Sequence, residues 1–322
     1  MATGILLNLA ILIAFTIILV IGSELLIRAV SKLSIFLKLK EFLVAFLILG
    51  FATSLPELSI CINSALKRDT SIAMGVILGS NITDLTLVAG ITVLIGGSIF
   101  IKRKEIFKDN IYMILIASTP IILIIDGVLN WIDGIILLSV FVLYAIHEVR
   151  NPREKLYTNK NSVTKTKAVG YLLLLILSLG IVFFSANMIV GAAEEISYIF
   201  GIAAMTIGVL LAIGTTLPEL TIGIVAVREK KSDITLGDLI GSVVANLTVL
   251  LGVTALIYPI TANYIILLIS IVYLFLAMGL FTVFARTGRV LTWKEGLILL
   301  FAYITFIIIE VLLGHISAPI IG

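Results

Sequence analysis

Long apolar runs, separated by short polar breaks, recur along the whole chain. Each run has about 17 to 29 residues, and a helix of that length crosses the hydrocarbon core of a membrane. The runs cover residues 4–28, 42–66, 71–99, 110–126, 131–148, 168–193, 202–227, 234–258, 263–285 and 294–313. The pattern predicts an all-α integral membrane protein with ten transmembrane helices.

The composition supports this class and narrows the possible functions. Of the 322 residues, 61% are hydrophobic and 13% are charged, whereas soluble domains carry about 25% charged residues. The longest polar stretch, residues 150–167, is a linker too short to form a regulatory domain. Cys61 is the single cysteine, so an internal disulfide is excluded. We expect the lipid bilayer as the surroundings, with no nucleic-acid partner.

The second half of the chain repeats the first at an offset of 162 residues. The stretch TSLPEL at 53–58 aligns with TTLPEL at 215–220, and Trp131 aligns with Trp293. Each copy holds five predicted spans, an odd number, so the second copy must enter the membrane from the opposite side. Inverted repeats of this kind are typical of secondary transporters. The predicted division is a first repeat at 1–149, a linker at 150–167 and a second repeat at 168–322.

Basic residues are sorted strongly between the two sides of the predicted membrane. Twenty of the 22 lysine and arginine residues fall on one side, and only Lys67 and Arg68 fall on the other. By the positive-inside rule the crowded side is cytoplasmic. We therefore predict a multi-pass protein of the cell membrane, with linker 150–167 in the cytoplasm and both termini outside.

Three acidic residues, Glu57, Asp84 and Glu219, lie near the middle of predicted spans that contain no lysine or arginine. An ionised acid at the bilayer centre costs about 2.5–3.5 kcal/mol on insertion scales. Two explanations are open: the carboxyls are protonated and structural, or they face a wet cavity and bind a cation. The repeat symmetry and the neighbouring oxygen donors favour cation binding.

Those oxygen donors surround two prolines. Pro56 and Pro218 lack an N–H and crowd the preceding turn, so both are predicted to break their helices and to free carbonyl oxygens nearby. Oxygen-bearing side chains cluster in the same motifs: Thr53, Ser54, Ser80, Thr215, Thr216, Ser242 and Asn246. Carboxylates, an amide and hydroxyls, without imidazole or thiol, suit a hard cation such as Ca2+.

The motifs GFATSLPE, GSNITD, AIGTTLPE and GSVVAN resemble those of the calcium/cation antiporter superfamily, in particular its sodium/calcium exchanger branch and the prokaryotic exchangers within it. The resemblance covers nearly the whole chain. It implies neighbouring cation sites between broken helices 2, 3, 7 and 8, with the first and sixth helices sliding across the other eight in alternating access. It also implies electrogenic exchange of about three Na+ for one Ca2+, and a monomer with no cofactor.

The resemblance also implies roles for individual residues. Glu57 and Glu219 would be the central ligands shared by Ca2+ and Na+. The implied backbone oxygens are those of Thr53, Thr215, Gly50 and Ala212. The implied side-chain oxygens are those of Ser54, Thr216, Ser80, Ser242, Asp84 and Asn246.

The acid and the amide of the second motifs are exchanged relative to related prokaryotic exchangers. Those proteins often carry Asn in the first repeat and Asp in the second, whereas this chain has Asp84 and Asn246. An Asp at the position of Asn246 is associated with potassium-dependent exchangers. Because Asp84 could replace it across the symmetry axis, dependence on K+ stays open.

The remaining acids are predicted to be structural. Glu24 and Glu310 lie near span ends, from which their carboxyls could reach the interface. Glu194 and Glu195 end the sixth span on the outer side, and Asp238 begins the eighth span near the cytoplasm.

Other functions remain as alternatives to Na+/Ca2+ exchange. A Ca2+/H+ antiporter could use Glu57 and Glu219 as proton carriers, although the SLPE motif counts against it. An intramembrane aspartyl protease would need a Gly-x-Gly-Asp motif, which is absent, so we predict that the chain is not an enzyme. A passive channel suits inverted repeats with broken helices less well than a transporter does.

Overall fold

The computed structural model describes residues 2–36, 53–101, 106–150, 164–228, 230, 232–261, 264–286 and 290–316. Within these ranges the chain is helical, apart from short connections and four two-residue strands. The helices are α1 (Ala2–Phe36), α2 (Leu55–Leu66), α3 (Ser71–Gly96), α4 (Ile106–Leu123), α5 (Trp131–Arg150), α6 (Lys165–Phe200), α7 (Ala204–Arg228), α8 (232–257), α9 (Tyr264–Arg286) and α10 (Trp293–Ile316). The strands are β1 (Ile99–Phe100), β2 (Val128–Leu129), β3 (Ile260–Thr261) and β4 (Val290–Leu291).

The helices of the described ranges fit the predicted membrane class. Seven of them are long and apolar enough to cross a membrane, and α2, α4 and α5 contribute shorter apolar segments. Each predicted span overlaps one described helix, although residues 42–52 of the second span lie outside the described ranges. The all-helical membrane class therefore agrees with the sequence, whereas the count of ten spans remains a prediction.

The central and peripheral helices differ sharply in burial. In α3 and α8, 94% and 83% of the most apolar stretch is buried inside the protein, against 11% in α1 and 33% in α6. Helices α1 and α6 pack against each other, and Phe15 contacts Phe184 edge to face with ring centroids 5.8 Å apart. The protein therefore has a core around α3 and α8 with a peripheral pair, α1 and α6.

Two kinds of irregularity interrupt the central helices. Helix α7 is divided at Thr216 into α7a (Ala204–Thr215) and α7b (Leu217–Arg228). Helices α3 and α8 were also predicted to be broken, but they stay helical and widen into π-helical turns at Asp84–Val88 and Asn246–Leu250. These two turns are 162 residues apart, the same offset as the sequence repeat, and α3 has a further π-helical segment at its end, Thr92–Gly96. Single π turns within α-helices are often found at functional sites.

Two pairs of glycines let helices from the two halves approach closely. A Cβ on Gly90 of α3 would lie 2.9 Å from the carbonyl oxygen of Gly296 in α10, and one on Gly252 of α8 would lie 3.0 Å from that of Gly134 in α5. At the repeat offset of 162 residues, Gly90 is equivalent to Gly252 and Gly134 to Gly296, so the two contacts are equivalent in the repeat. Small residues allow such close contacts between membrane helices.

The short strands connect the halves crosswise. Strand β1 pairs antiparallel with β4, and β2 pairs antiparallel with β3. Each pair joins one connection from residues 1–149 to one from residues 168–322. The sequence predicts that the two connections of each pair lie on the same side of the membrane. The strand pairing therefore agrees with the predicted order in which the spans cross the membrane.

Candidate cation site

Glu57 and Glu219 lie in the first turns of two short helices that begin in the interior of the protein. Each is the third residue of its helix, α2 or α7b, directly after a proline. Proline is favoured in the first helical turn because its missing N–H has no helical partner there. The two side chains are 1% and 2% exposed. The helix N-terminus carries partial positive charge, which favours a carboxylate at this position.

Asp84 and Asn246 occupy equivalent positions on α3 and α8, each as the first residue of a π-helical turn. Both side chains are 1% exposed. The Asn246 amide Nδ2 donates to Ser80 Oγ at 3.1 Å and to Asn81 Oδ1 at 3.2 Å. The second motifs of the two halves are therefore in direct contact.

We call the buried site formed by Glu57, Asp84, Glu219 and Asn246 the pocket. Several of its oxygen atoms have no hydrogen-bond partner among the described residues. They are both carboxylate oxygens of Glu57, both of Asp84, Oε2 of Glu219 and Oδ1 of Asn246. The Glu57 carboxylate is close enough to Asp84 and Glu219 to repel both. No lysine or arginine of the described ranges reaches these oxygens. Buried charges without partners are strongly unfavourable, so these acids are either protonated or balanced by a positive charge from elsewhere.

The acids alone do not form a complete metal site. The described ranges contain no group of three His, Cys, Asp or Glu side chains placed to hold one ion together. A cation in this pocket must therefore also use hydroxyl, amide or carbonyl oxygens. The candidate hydroxyls of the motifs that carry these acids are all buried: Thr53, Ser54, Ser80, Thr215, Thr216 and Ser242.

Some of these groups already make internal hydrogen bonds. The Ser80 hydroxyl donates to the Ile77 carbonyl at 3.2 Å. The Ala212 carbonyl accepts both the Thr215 hydroxyl at 3.3 Å and the Thr216 N–H at 3.1 Å. In this conformation the Ala212 oxygen is therefore already doubly hydrogen-bonded. Gly50, the other backbone ligand implied by the resemblance, lies outside the described ranges.

Asp238 is buried close to these acids, whereas the sequence pattern placed it near the cytoplasmic surface, so the predicted location was wrong. Its side chain is 1% exposed, and the Thr53 hydroxyl donates to its Oδ1 at 3.4 Å. It is also close enough to Asp84 and Glu219 to repel both. The sequence contains a signal for it, because Asp238, Ser242 and Asn246 follow at steps of four and share one face of α8.

Glu310 was also predicted wrongly. It was expected to reach the membrane interface, but its side chain is fully buried. Its carboxylate accepts the Thr206 hydroxyl at 3.4 Å and the Ser270 hydroxyl at 3.2 Å. The cause is packing: Gly314 brings α10 against Thr206 of α7a, and this contact covers Glu310. Its hydrogen bonds make it a structural carboxyl outside the pocket.

The fold and the pocket define a multi-pass, all-helical membrane protein with an acidic interior. The sequence model of the family described as "Sodium/calcium exchanger protein" matches residues 7–149 and 170–312. The chain therefore belongs to the sodium/calcium exchanger protein family, which confirms the resemblance stated above.

Individual relatives agree with this assignment. The chain is 30% identical over 261 residues to the inner membrane protein YrbG of Escherichia coli (strain K12), covering 78% of this chain and 80% of YrbG. It superposes with a TM-score of 0.67 and 26% identity on the sodium-calcium exchanger NCX_Mj soaked with 10 mM Na+ and zero Ca2+, over 94% of this chain and 99% of that one.

The fold is also shared beyond close relatives. The H+/Ca2+ exchanger CAX superposes with a TM-score of 0.78, over 97% of this chain and 86% of CAX, at 16% identity. At that identity the likeness shows the fold alone. Together the two superpositions confirm the all-helical architecture.

Proposed function

We propose that this protein is a secondary antiporter that exchanges Na+ for Ca2+ across the cell membrane by alternating access. The observation that carries the proposal is the set of buried oxygens on Glu57, Asp84, Glu219 and Asn246 that have no hydrogen-bond partner in the described part of the chain. A transported cation balances their charge while bound and leaves when the pocket opens. Family membership and the likeness to a protein named as a sodium-calcium exchanger support Na+ and Ca2+ as the ions.

Protonation would explain the pocket less well than cation binding. A protonated carboxyl loses its charge but gains an O–H donor that also needs a partner. Neither oxygen of Asp84 has a hydrogen-bond partner among the described residues, and the Thr215 hydroxyl near Glu57 donates to the Ala212 carbonyl instead. Glu310 shows the contrast, since two hydroxyls satisfy its carboxylate in a similarly buried position. The acids of the pocket have no comparable pair of hydroxyl donors among the described residues, which favours a bound cation over protonation.

In the proposed mechanism Glu57 and Glu219 bind Ca2+ or Na+ at the centre. Ca2+ takes six to eight oxygens, so hydroxyls and carbonyls from both halves must complete its shell. The further proposed ligands are Thr53, Ser54, Ser80, Asp84, Thr215, Thr216, Ser242 and Asn246. Exchange of three Na+ for one Ca2+ would be electrogenic, moving one net charge per cycle.

The burial pattern supports a proposal for the moving parts. Helix α1 is the least buried of the long helices of the described ranges, and it packs against α6, which is as little buried as α10, whereas α3 and α8 form the core. We infer that α1 and α6 slide across the core to open the pocket to each side in turn. In the proposed topology both termini lie outside and linker 150–167 is cytoplasmic, and a monomer suffices because both halves of the pocket come from one chain.

Reconstitution into liposomes tests the proposal. An outward Na+ gradient should drive 45Ca2+ uptake, and K+ or pH gradients of equal size should not. Glu310→Gln provides a matched control, because it removes a buried carboxyl outside the pocket and should leave uptake unchanged. Uptake that follows the pH gradient and ignores Na+ would replace the proposal with Ca2+/H+ exchange, and a requirement for K+ together with Na+ would make the protein a K+-dependent exchanger.

A further inference from the structure

One face of α8 carries three polar side chains, each one turn from the next. They are Asp238, Ser242 and Asn246, all 1% exposed or less. At 1.5 Å per residue, Asp238 and Asn246 are about 12 Å apart along the helix axis. The corresponding position to Asp238 in α3 is Val76, so the first half has no equivalent acid. Asp238 is therefore an acid that the repeat alone does not explain.

The surroundings of Asp238 are those of a small oxygen-lined site. Thr53 is fully buried and donates to Asp238 Oδ1 at 3.4 Å, and its hydroxyl shares a hydrogen bond of 3.3 Å with Ser242 Oγ. One carboxylate and two hydroxyls therefore meet where α8 contacts the start of α2. A hydroxyl oxygen has two lone pairs, so it can coordinate a cation while its O–H donates elsewhere.

The same region holds unpartnered oxygens from the neighbouring acids. Asp84 and Glu219 interact with Asp238 electrostatically, and both Asp84 oxygens and Glu219 Oε2 lack hydrogen-bond partners among the described residues. The hydrogen bond that Thr53 donates to Asp238 is long, at 3.4 Å, and compensates only part of the cost of burying this charge. Asp238 is also seven residues into α8, too far from its start to cap the helix.

We propose that Asp238 is a fourth acidic ligand of the pocket and forms, with the Thr53 and Ser242 hydroxyls, a subsite for a monovalent cation, Na+. The inference rests on the proposed function and adds a residue to it. Na+ fits better than Ca2+ because the subsite offers one carboxylate, whereas Ca2+ sites gather several charged oxygens in a shell of six to eight. The subsite lies towards the N-terminus of α8, which is the cytoplasmic side in the proposed topology.

Competition between Na+ and 45Ca2+ for the purified protein tests this without requiring transport. Asp238→Asn should lower the Hill coefficient for Na+ inhibition by about one and raise the half-inhibiting Na+ concentration about tenfold, while Ca2+ affinity changes by less than about twofold. Glu310→Gln, which also turns a buried carboxyl into an amide, should match the wild type. Unchanged Na+ inhibition in Asp238→Asn would overturn the proposal, and so would an equal loss of Ca2+ and Na+ binding.

A second variant covers the case in which Asp238→Asn does not fold. Asp238→Glu keeps the charge and lengthens the side chain, so it should keep the Hill coefficient and shift the half-inhibiting Na+ concentration. An unshifted value would also overturn the subsite. The two proposals fail separately: wild-type liposomes without Na+-driven Ca2+ uptake refute the exchange function, whereas unaltered Na+ competition in the variants refutes only the role of Asp238.

Discussion

Helices α3 and α8 occupy equivalent positions in the two repeats. Their backbone geometry is similar, but their acidic residues lie at different positions. Both carry a π-helical turn at the equivalent position, and both make a glycine contact with a helix of the other half. Their acids differ: α3 has Asp84 where α8 has Asn246, and α8 has Asp238 where α3 has Val76. The two halves therefore keep the backbone features that shape the pocket, while each places its acid at a different depth.

The central glutamates should give the largest effect, and an equal one in both halves. Glu57→Gln and Glu219→Gln each remove one charge from the centre, and we expect each to reduce Na+-driven Ca2+ uptake by at least about 100-fold, or about 3 kcal/mol. Detergent-solubilised protein should stay monodisperse. Wild-type uptake in either variant would refute the site, and a large difference between them would show that the symmetry of these two positions is only structural.

The glycine contacts test the shared backbone. Gly90→Ala and Gly252→Ala place a Cβ about 3 Å from a facing carbonyl, and we expect each to destabilise the protein by about 1–3 kcal/mol. Thermal unfolding in detergent measures the loss. Gly180→Ala is the control, because no described atom lies within 4 Å of a Cβ there. Equal melting temperatures for all three variants would contradict the close helix contacts.

Exchanging the acid and the amide tests whether the position of the charge matters. Asp84→Asn should weaken Ca2+ binding about tenfold, because it removes one of the buried carboxylates. Adding Asn246→Asp restores the number of charges at the equivalent position, and we expect Ca2+ affinity within about threefold of the wild type. Equilibrium 45Ca2+ binding measures both. A double variant no better than Asp84→Asn would show that the two halves of the pocket are not interchangeable.

The ion pair between Lys67 and Glu194 should give the smallest effect. The two charges are 3.0 Å apart, join the end of α2 to α6 and are each about one-third exposed. Exposed pairs contribute about 0–1 kcal/mol, so Glu194→Gln should hardly change the melting temperature. A clear change in the rate of exchange without a change in stability would instead show that the pair favours one orientation of the peripheral helices.

The sequence predicted the features that depend on local pattern. Apolar runs located the helices, the offset of 162 located the equivalent motifs, and acids without basic partners located Glu57, Asp84 and Glu219. Asp238 was missed because its place near the start of a span suggested the membrane surface, and Val76 at the equivalent position gave no second signal. Glu310 was misjudged because its burial depends on contacts with Thr206 and Ser270, which only tertiary packing reveals.

The π-helical turns were beyond prediction for a related reason. Nothing in the residues of Asp84–Val88 or Asn246–Leu250 requires the i→i+5 hydrogen bonding of a π-helix. The widening depends on how α3 and α8 pack against their neighbours. The sequence therefore correctly predicted that α3 and α8 are irregular near the pocket. It predicted breaks, whereas the structure has π-helical turns.

The crosswise pairing of the strands has a consequence for the covalent linker. Because β1 binds β4 and β2 binds β3, each half is fastened to the other at two separate places by backbone hydrogen bonds. We therefore expect the two halves to keep their relative position without the peptide connection through residues 150–167. Produced as two separate polypeptides, residues 1–149 and 168–322 should find each other in the membrane and rebuild the same shared pocket.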